Sequence, residues 1–248
     1  MKISIITATF NSESTILESI KSLESQTYSE IEYIVIDGAS SDNTVSIVNQ
    51  NASRLSQIVS EPDAGIYDAL NKGLALATGD AVGFLHSDDV FASDDAIRKL
   101  VDLFYTSKAD AVYADLHYVA KHDVTKTVRF WKSGEFDISK LKTGWMPPHP
   151  TFFMKTRLYR EYGSFDLNFK IAADYDSILR YLWVHKVKMA YLPEVVTLMR
   201  VGGASNQSIK NLLLKTKEDY MALKKNNLGC VKALVGKNLS KIPQFFTD

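Results

Sequence analysis

Five carboxylates in the first hundred residues follow directly after predicted strands: Asp37, Glu61, Asp63, Asp88 and Asp89. Carboxylates gathered at one place can hold a hard divalent cation such as Mg or Mn through oxygen. The cation then completes its shell with substrate phosphates. Asp88-Asp89 is the sharpest case. Two adjacent like charges after the apolar run Ala81-Val82-Gly83-Phe84-Leu85 repel each other, and they cost stability unless a cation binds there. The plainer alternative is that an Asp at a strand–helix turn caps the helix, and Asp42 reads equally well that way.

The elements that must position these groups alternate. Ile3–Thr7, Tyr33–Ile36, Ser56–Val59 and Ala81–Leu85 read as strands, the second nearly all apolar, as a strand buried on both faces should be. Between them, Ile16, Ile20 and Leu23 recur at helical spacing and predict a helix over 14–25. Further helices are predicted over 43–51 and Tyr67–Ala77, and another opens at Asp94 and Asp95, where negative charge suits the dipole. Repeated strand–helix–strand units imply an α/β fold, a mostly parallel sheet with helices on both faces. Ligands bind such sheets at the carboxyl ends of the strands, so the five carboxylates are expected on one rim. After residue 110 the pattern loosens. A strand is predicted at Ala111–Tyr113, a hairpin over 117–131 and a loop-rich crossing over 133–150. Helices follow over 156–162 and 175–185, then short strands at Met189–Leu192 and Val196–Met199, then a helical tail from 206.

Composition narrows the function classes. Of 248 residues 46% are apolar, which excludes a disordered chain. Net charge is zero but uneven: residues 1–100 hold 6 Lys/Arg against 15 Asp/Glu, while 206–248 hold 8 against 3. An acidic first half is a poor platform for nucleic acid and a better one for a cation. The one cysteine, Cys230, cannot form an internal disulfide, and no apolar run is long enough to cross a bilayer. The expectation is a cytoplasmic protein, soluble or peripheral at the inner face of the plasma membrane.

The most specific stretch is Ser60-Glu61-Pro62-Asp63-Ala64-Gly65-Ile66-Tyr67-Asp68-Ala69-Leu70-Asn71-Lys72-Gly73. With Ser4–Asn11, Ile36–Thr44, Ala77–Asp80, Leu85–Asp89 and Ile171–Asp176, it resembles the inverting glycosyltransferases of family 2, over about 200 residues. Within that family the chain looks most like the bacterial enzymes that build exopolysaccharide and O-antigen units. The resemblance implies the nucleotide-diphospho-sugar transferase (GT-A, Rossmann-like) fold, a Mg or Mn ion, a nucleotide-sugar donor (a UDP-sugar above all) and a glycan or polyprenyl-linked acceptor. It divides the chain into a catalytic domain over 1–205, with a donor half at 1–110 and an acceptor half at 111–205, and a tail over 206–248.

Roles carry over by position. Thr7, Thr9 and Asn11 lie at the exit of the first strand that cradles the nucleotide, and Asp37 resembles the Asp that binds base or ribose. Glu61 and Asp63 join the donor side, and Lys72 either meets a phosphate or is a solvated helix lysine. Asp88 and Asp89 match the acidic metal motif, with Asp89 as the ligand; the usual first Asp of the D-x-D is Ser87 here. Asp174 is the base implied by the resemblance, although the family's Glu-Asp reads Ala173-Asp174, and Asp176 is its rival. Two weaker candidates come from the residues alone. His149 could touch donor or acceptor, or be an ordinary loop histidine. Gly203 and Ser205, in Gly202-Gly203-Ala204-Ser205, could wrap a diphosphate through backbone N–H groups or form a turn.

Rival enzyme classes lack their parts: no G-x-G-x-x-G follows the first strand, and no G-K-[ST] occurs. A non-catalytic sugar-binding relic of the same fold stays as the alternative. The basic, leucine-bearing tail either lies on an anionic membrane or packs on the catalytic domain or on a second subunit as a homodimer.

Overall fold

The computed structural model describes residues 1–202, 209–229, 233–234 and 236–237. Gly203, Ser205 and Cys230 lie outside the described residues. The first half runs β1 (Ile3–Thr9), α1 (Ile16–Glu24), β2 (Ile31–Asp37), α2 (Thr44–Asn51), β3 (Leu55–Ser60), α3 (Ile66–Leu76) and β4 (Ala81–Phe84). These strands pair in parallel in the order β3-β2-β1-β4, so their carboxyl ends share one edge, as the alternation predicts. Side chains alternate across the sheet. Ile3, Ile5, Tyr33 and Val35 pack under α1, α2 and α4 (Ala96–Ser107), whereas Ile6, Ala8, Ile34 and Ile36 pack under α3 on the other face. Both faces of β1, β2 and β4 are covered, and polar residues buried in them such as Ser4, Thr7, Glu32 and Asp37 are hydrogen-bonded, whereas the outer strand β3 is partly exposed and carries Ser56, Gln57 and Ser60.

The second half departs from parallel order. Strand β6 (Ala111–Ala120) pairs antiparallel with β7 (Asp123–Trp131), the predicted hairpin, and with β8 (Phe153–Lys155). Strand β9 (Met189–Arg200) is one long strand where two short ones are expected, because a register shift at Ala114–Asp115 absorbs the Pro-containing stretch. It runs parallel to β6 and antiparallel to the two-residue β5 (Val90–Phe91). The short β5 and β8 escape periodicity altogether. The sheet is therefore mixed, and β8 joins its two halves at β4. At that joint Gly83 is required, since a Cβ would lie 2.2 Å from the Phe153 ring.

Helices α5 (Thr156–Tyr162) and α6 (Ala173–Leu179) cover the α3 face, and a wide turn over Arg180–Val184 extends α6. Helix α7 (Ile209–Lys225) packs on α6 and adds Ala222 and Leu223 to the same core. Leu212 and Leu213, by contrast, face solvent.

Candidate active site

The shared edge of β1, β2 and β3 is finished by short-range hydrogen bonds. Asp37 ends β2 fully buried; it accepts from the Ser40 backbone N–H at 2.9 Å, from the Ser60 hydroxyl at 2.6 Å and from the Ser40 hydroxyl. Asn11, in the left-handed region at φ 47°, accepts the Ser41 N–H through its side chain at 2.9 Å. Asp63 closes over the turn: a Cβ on Gly38 would lie 2.7 Å from its Oδ2. Lys72, on α3, reaches back to Glu61 at 2.7 Å and to the Pro62 carbonyl at 3.1 Å. It is therefore neither a free cation nor a purely solvated one. Carboxylates next to it hold its pKa up, the hydrogen bond to Glu61 first.

Thr7 and Thr9 divide. The Thr7 hydroxyl donates to the Leu85 carbonyl at 2.6 Å and accepts from Tyr33 at 3.2 Å, which commits it to the sheet interior rather than to a donor. The Thr9 hydroxyl is buried without a hydrogen-bond partner, at the end of β1 beside Asp37.

The corner after β4 is different. A tight turn, with the Asp89 N–H on the His86 carbonyl at 3.0 Å, carries the chain toward β5. The turn points Asp89 inward, so it sits beneath the rim on which the strand-end argument places it, with 1% of its surface exposed. One carboxylate oxygen accepts the Arg200 backbone N–H at 3.2 Å; the other is buried with no partner. Burial, then the charge of Asp88, raises its pKa well above the usual carboxylate range. Asp88 stays half-buried. Arg200 also donates to the Asp88 carbonyl, to Glu18 on α1 and, at 3.1 Å, to the Lys121 carbonyl at the hairpin tip.

Facing this turn is the start of α6, where Asp174 occupies the first turn, half-buried. Its Oδ1 accepts the Tyr67 hydroxyl at 3.2 Å and the Tyr175 N–H at 2.8 Å, and the same Tyr67 hydroxyl is 2.7 Å from the Ile171 carbonyl. Burial, then the charge of Asp174, holds the Tyr67 phenol well above its ordinary pKa, so it stays a donor. Asp176 faces the other way. It is fully buried and bonded to Arg180 at 3.1 Å, to Lys225 at 3.0 Å and to Asn226 at 3.0 Å. The two residues of spacing put the rivals on opposite sides of the helix.

His149 belongs to the same corner. Its ring stacks on Phe84 at 5.0 Å, meets the edge of Phe165 at 5.5 Å and lies 6.2 Å from His86. Burial lowers its pKa to about 4, against the opposing pull of Asp174, so it is neutral at pH 7. His86 is lowered by burial as well, and its Nδ1 is buried without a partner. Sequence reasoning assigns no role to His86 or Tyr67. The position of His86, two residues before Asp88 and just past the end of β4, could have marked it; Tyr67 stands within the Ser60–Gly73 stretch, but its contacts lie 104 and 107 residues away, where no spacing predicts them.

Hard oxygen donors suit Mg or Mn, and the unpartnered Asp89 oxygen with half-buried Asp88 beside it fits such an ion. Among the described residues, no group of three or more His, Cys, Asp or Glu side chains surrounds a single point, so remaining ligands would have to come from substrate or water.

Residues 4–163 match the model of the family "Glycosyl transferase family 2". This chain belongs to that family. An uncharacterized glycosyltransferase of Mycobacterium tuberculosis is 34% identical over 180 residues, 72% of this chain and 68% of the relative. A PGL/p-HBAD biosynthesis glycosyltransferase of Mycobacterium bovis is 29% identical over 217 residues, 86% of this chain and 82% of the relative. In fold, the chain is similar to residues 1–349 of S. aureus TarS in complex with UDP-GlcNAc. That match has a TM-score of 0.74 at 20% identity, and covers 99% of this chain and 78% of the other. A Pyrobaculum calidifontis mannosyltransferase in complex with GDP-Man and Mn2+ gives 0.63 at 18%, covering 100% and 76%. The chain is a glycosyltransferase with the GT-A fold.

Proposed function

We propose that this glycosyltransferase inverts configuration. It moves a sugar from a nucleoside-diphosphate donor to a hydroxyl of a glycan or lipid-linked saccharide, with Asp174 as base. The observation that carries the reading is the split on α6: Asp174 is turned toward the corner that holds His86, Asp88 and His149, while Asp176 is spent on Arg180, Lys225 and Asn226. Asp174 takes the proton from the acceptor oxygen as that oxygen bonds to the anomeric carbon. The bond from that carbon to the diphosphate breaks, and the nucleoside diphosphate leaves on the opposite face. Direct displacement with one base inverts the centre.

The donor's nucleoside lies along the β1–β3 edge, over Asn11, Asp37 and Asp63. Thr9, Asp88 and Asp89 lie at the diphosphate end. Asp88 and Asp89 would hold a divalent ion, which when bound neutralises charge on the leaving group. The UDP-GlcNAc and GDP-Man complexes of the fold neighbours support a nucleotide-sugar as donor. The name of the Mycobacterium bovis relative, a PGL/p-HBAD biosynthesis glycosyltransferase, is in keeping with a biosynthetic transfer.

A thermal-shift panel of UDP-, GDP- and dTDP-sugars with Mn tests the reading, because a ligand that binds the native state raises the midpoint. One nucleotide-sugar class is expected to stand out and to turn over with a saccharide acceptor. A shift without hydrolysis or transfer would favour the non-catalytic relic, and no shift with any donor would reject both.

Helix α7 supports a peripheral place at a membrane. Leu213, Tyr220 and Met221 are exposed on it together with Lys217 and Lys224, an apolar and basic surface suited to anionic lipid. No helix among the described residues is long and apolar enough to cross a membrane. Sedimentation with anionic liposomes, reversed by salt, is the expected behaviour; equal recovery with neutral and anionic liposomes would reject it.

A further inference from the structure

The turn that presents Asp174 is held from outside the segment that matches the family. Glu218, in the middle of α7, is 3% exposed, and its carboxylate accepts three successive backbone N–H groups: Lys170 at 3.0 Å, Ile171 at 2.8 Å and Ala172 at 3.0 Å. These three residues lead straight into α6, whose first residue is Ala173. The carbonyl of Ile171 is fixed from the other side by the Tyr67 hydroxyl at 2.7 Å, which also touches Asp174. About two turns further along, at the end of α7, Lys225 and the next residue Asn226 bind Asp176, two residues beyond Asp174. The chain on both sides of Asp174 is thus tied to one helix.

A carboxylate suits this task because it is an acceptor only, with lone pairs for several donors, and because anionic acceptors make the stronger hydrogen bonds. We infer that Glu218 is a positioning residue for the transfer reaction: it sets the backbone entering α6 so that Asp174 meets the acceptor hydroxyl. The inference rests on the reading of Asp174 as base. It makes α7 part of the catalytic machinery, although the family match ends at residue 163. Glu218→Gln keeps the size but turns an amide N–H2 toward backbone donors, so the 170–172 segment must shift. A misplacement of about 1 Å can cost on the order of 10²-fold in rate.

The experiment is a double-mutant cycle on the full chain with Glu218→Gln, Asp174→Asn and the pair, measuring kcat at saturating donor and donor Kd by calorimetry. A radiolabelled-donor assay able to follow a loss of about 10⁶-fold keeps every corner measurable, since a base is worth roughly 10²–10⁴ and an additive second loss would multiply it by up to about 10². Expected is a fall in kcat of about 10–10²-fold for Glu218→Gln, with donor Kd changed less than about 2-fold. In the Asp174→Asn background the same change should cost little more, because residues that act as a unit are not additive. Equal losses in both backgrounds, or wild-type kcat in Glu218→Gln, would overturn the positioning role. Wild-type kcat in Asp174→Asn would instead reject the base. Should Glu218→Gln fail to fold, Glu218→Asp keeps the charge at shorter reach: a smaller kcat loss at unchanged donor Kd is expected, and loss of donor affinity in step with kcat would count against the inference.

Discussion

The β1–β3 edge and the corner after β4 are each built around one buried carboxylate, Asp37 and Asp89, yet their chemistry is opposite. At the edge every charge is answered within the protein: Asp37 by Ser40 and Ser60, Asp63 by the Gly65 N–H at 2.8 Å, Lys72 by Glu61. At the corner, Asp88 and Asp89 push against each other, and one Asp89 oxygen and His86 Nδ1 have no partner. The edge is a shape made in advance. The corner is a set of demands that a ligand must meet. Native proteins keep few buried polar atoms unsatisfied, so two in one corner, against the single Thr9 hydroxyl at the edge, are in keeping with the site proposed there.

Substitutions should separate the two regions. The largest effect is expected at the corner: Asp174→Asn should lower kcat by roughly 10²–10⁴-fold with donor affinity nearly intact, as measured by initial rates and calorimetry. If donor affinity collapsed instead, Asp174 would belong to the binding edge. Next comes Asp89→Asn. It should lower transfer by on the order of 10²-fold while the thermal midpoint holds or rises, because it removes a buried charge that burial and Asp88 disfavour. A midpoint well below wild type would show that Asp89 is structural like Asp37.

The edge should answer in the other currency. Asp37→Asn leaves Ser40 and Ser60 donors without their carboxylate and should cost about 2 kcal/mol in denaturant unfolding. An unchanged midpoint would blur the contrast. A pH dependence is expected as well. His149 has its folded pKa lowered to about 4 from an unfolded value near 6.5. The unfolded chain therefore binds more protons between these values. Stability is full above about pH 6.5 and is lost as pH falls toward 4, with a slope from this group of at most about 1.4 kcal/mol per pH unit. His149→Phe keeps a ring against Phe84 and should flatten that slope; an unchanged slope would put the titration elsewhere.

Much of the edge was legible in sequence, because parallel strands bring their ends together by topology alone. Asp37, Glu61 and Asp63 needed only the strand pattern. The corner was legible in part. Asp88, Asp89 and Asp174 stood in motifs, but the direction of each side chain came from a turn and a helix face that no pattern of apolar residues encodes. Asp176 lost its rival standing through Lys225 and Asn226, about fifty residues away. The same reason hides the partners of Tyr67, although it stands within the Ser60–Gly73 stretch, and hides Glu218, a Glu in a basic helix that reads as ordinary surface until the fold places its partners. Short β5 and β8 were missed because two or three residues carry no period.

Arg200 has a consequence for the order of folding. Its bonds join residues 182, 112, 111 and 79 positions away, on α1, the β4 turn and the hairpin tip. None can form until most of the chain has been made and gathered, whereas β1 and β2 can pair across about thirty residues. Loops this long close late, so the corner around Asp89 is expected to assemble after the β1–β3 edge. Pulse-labelled hydrogen exchange should find the Ile34 amide protected before that of Arg200; the reverse order would place the nucleus in the second half.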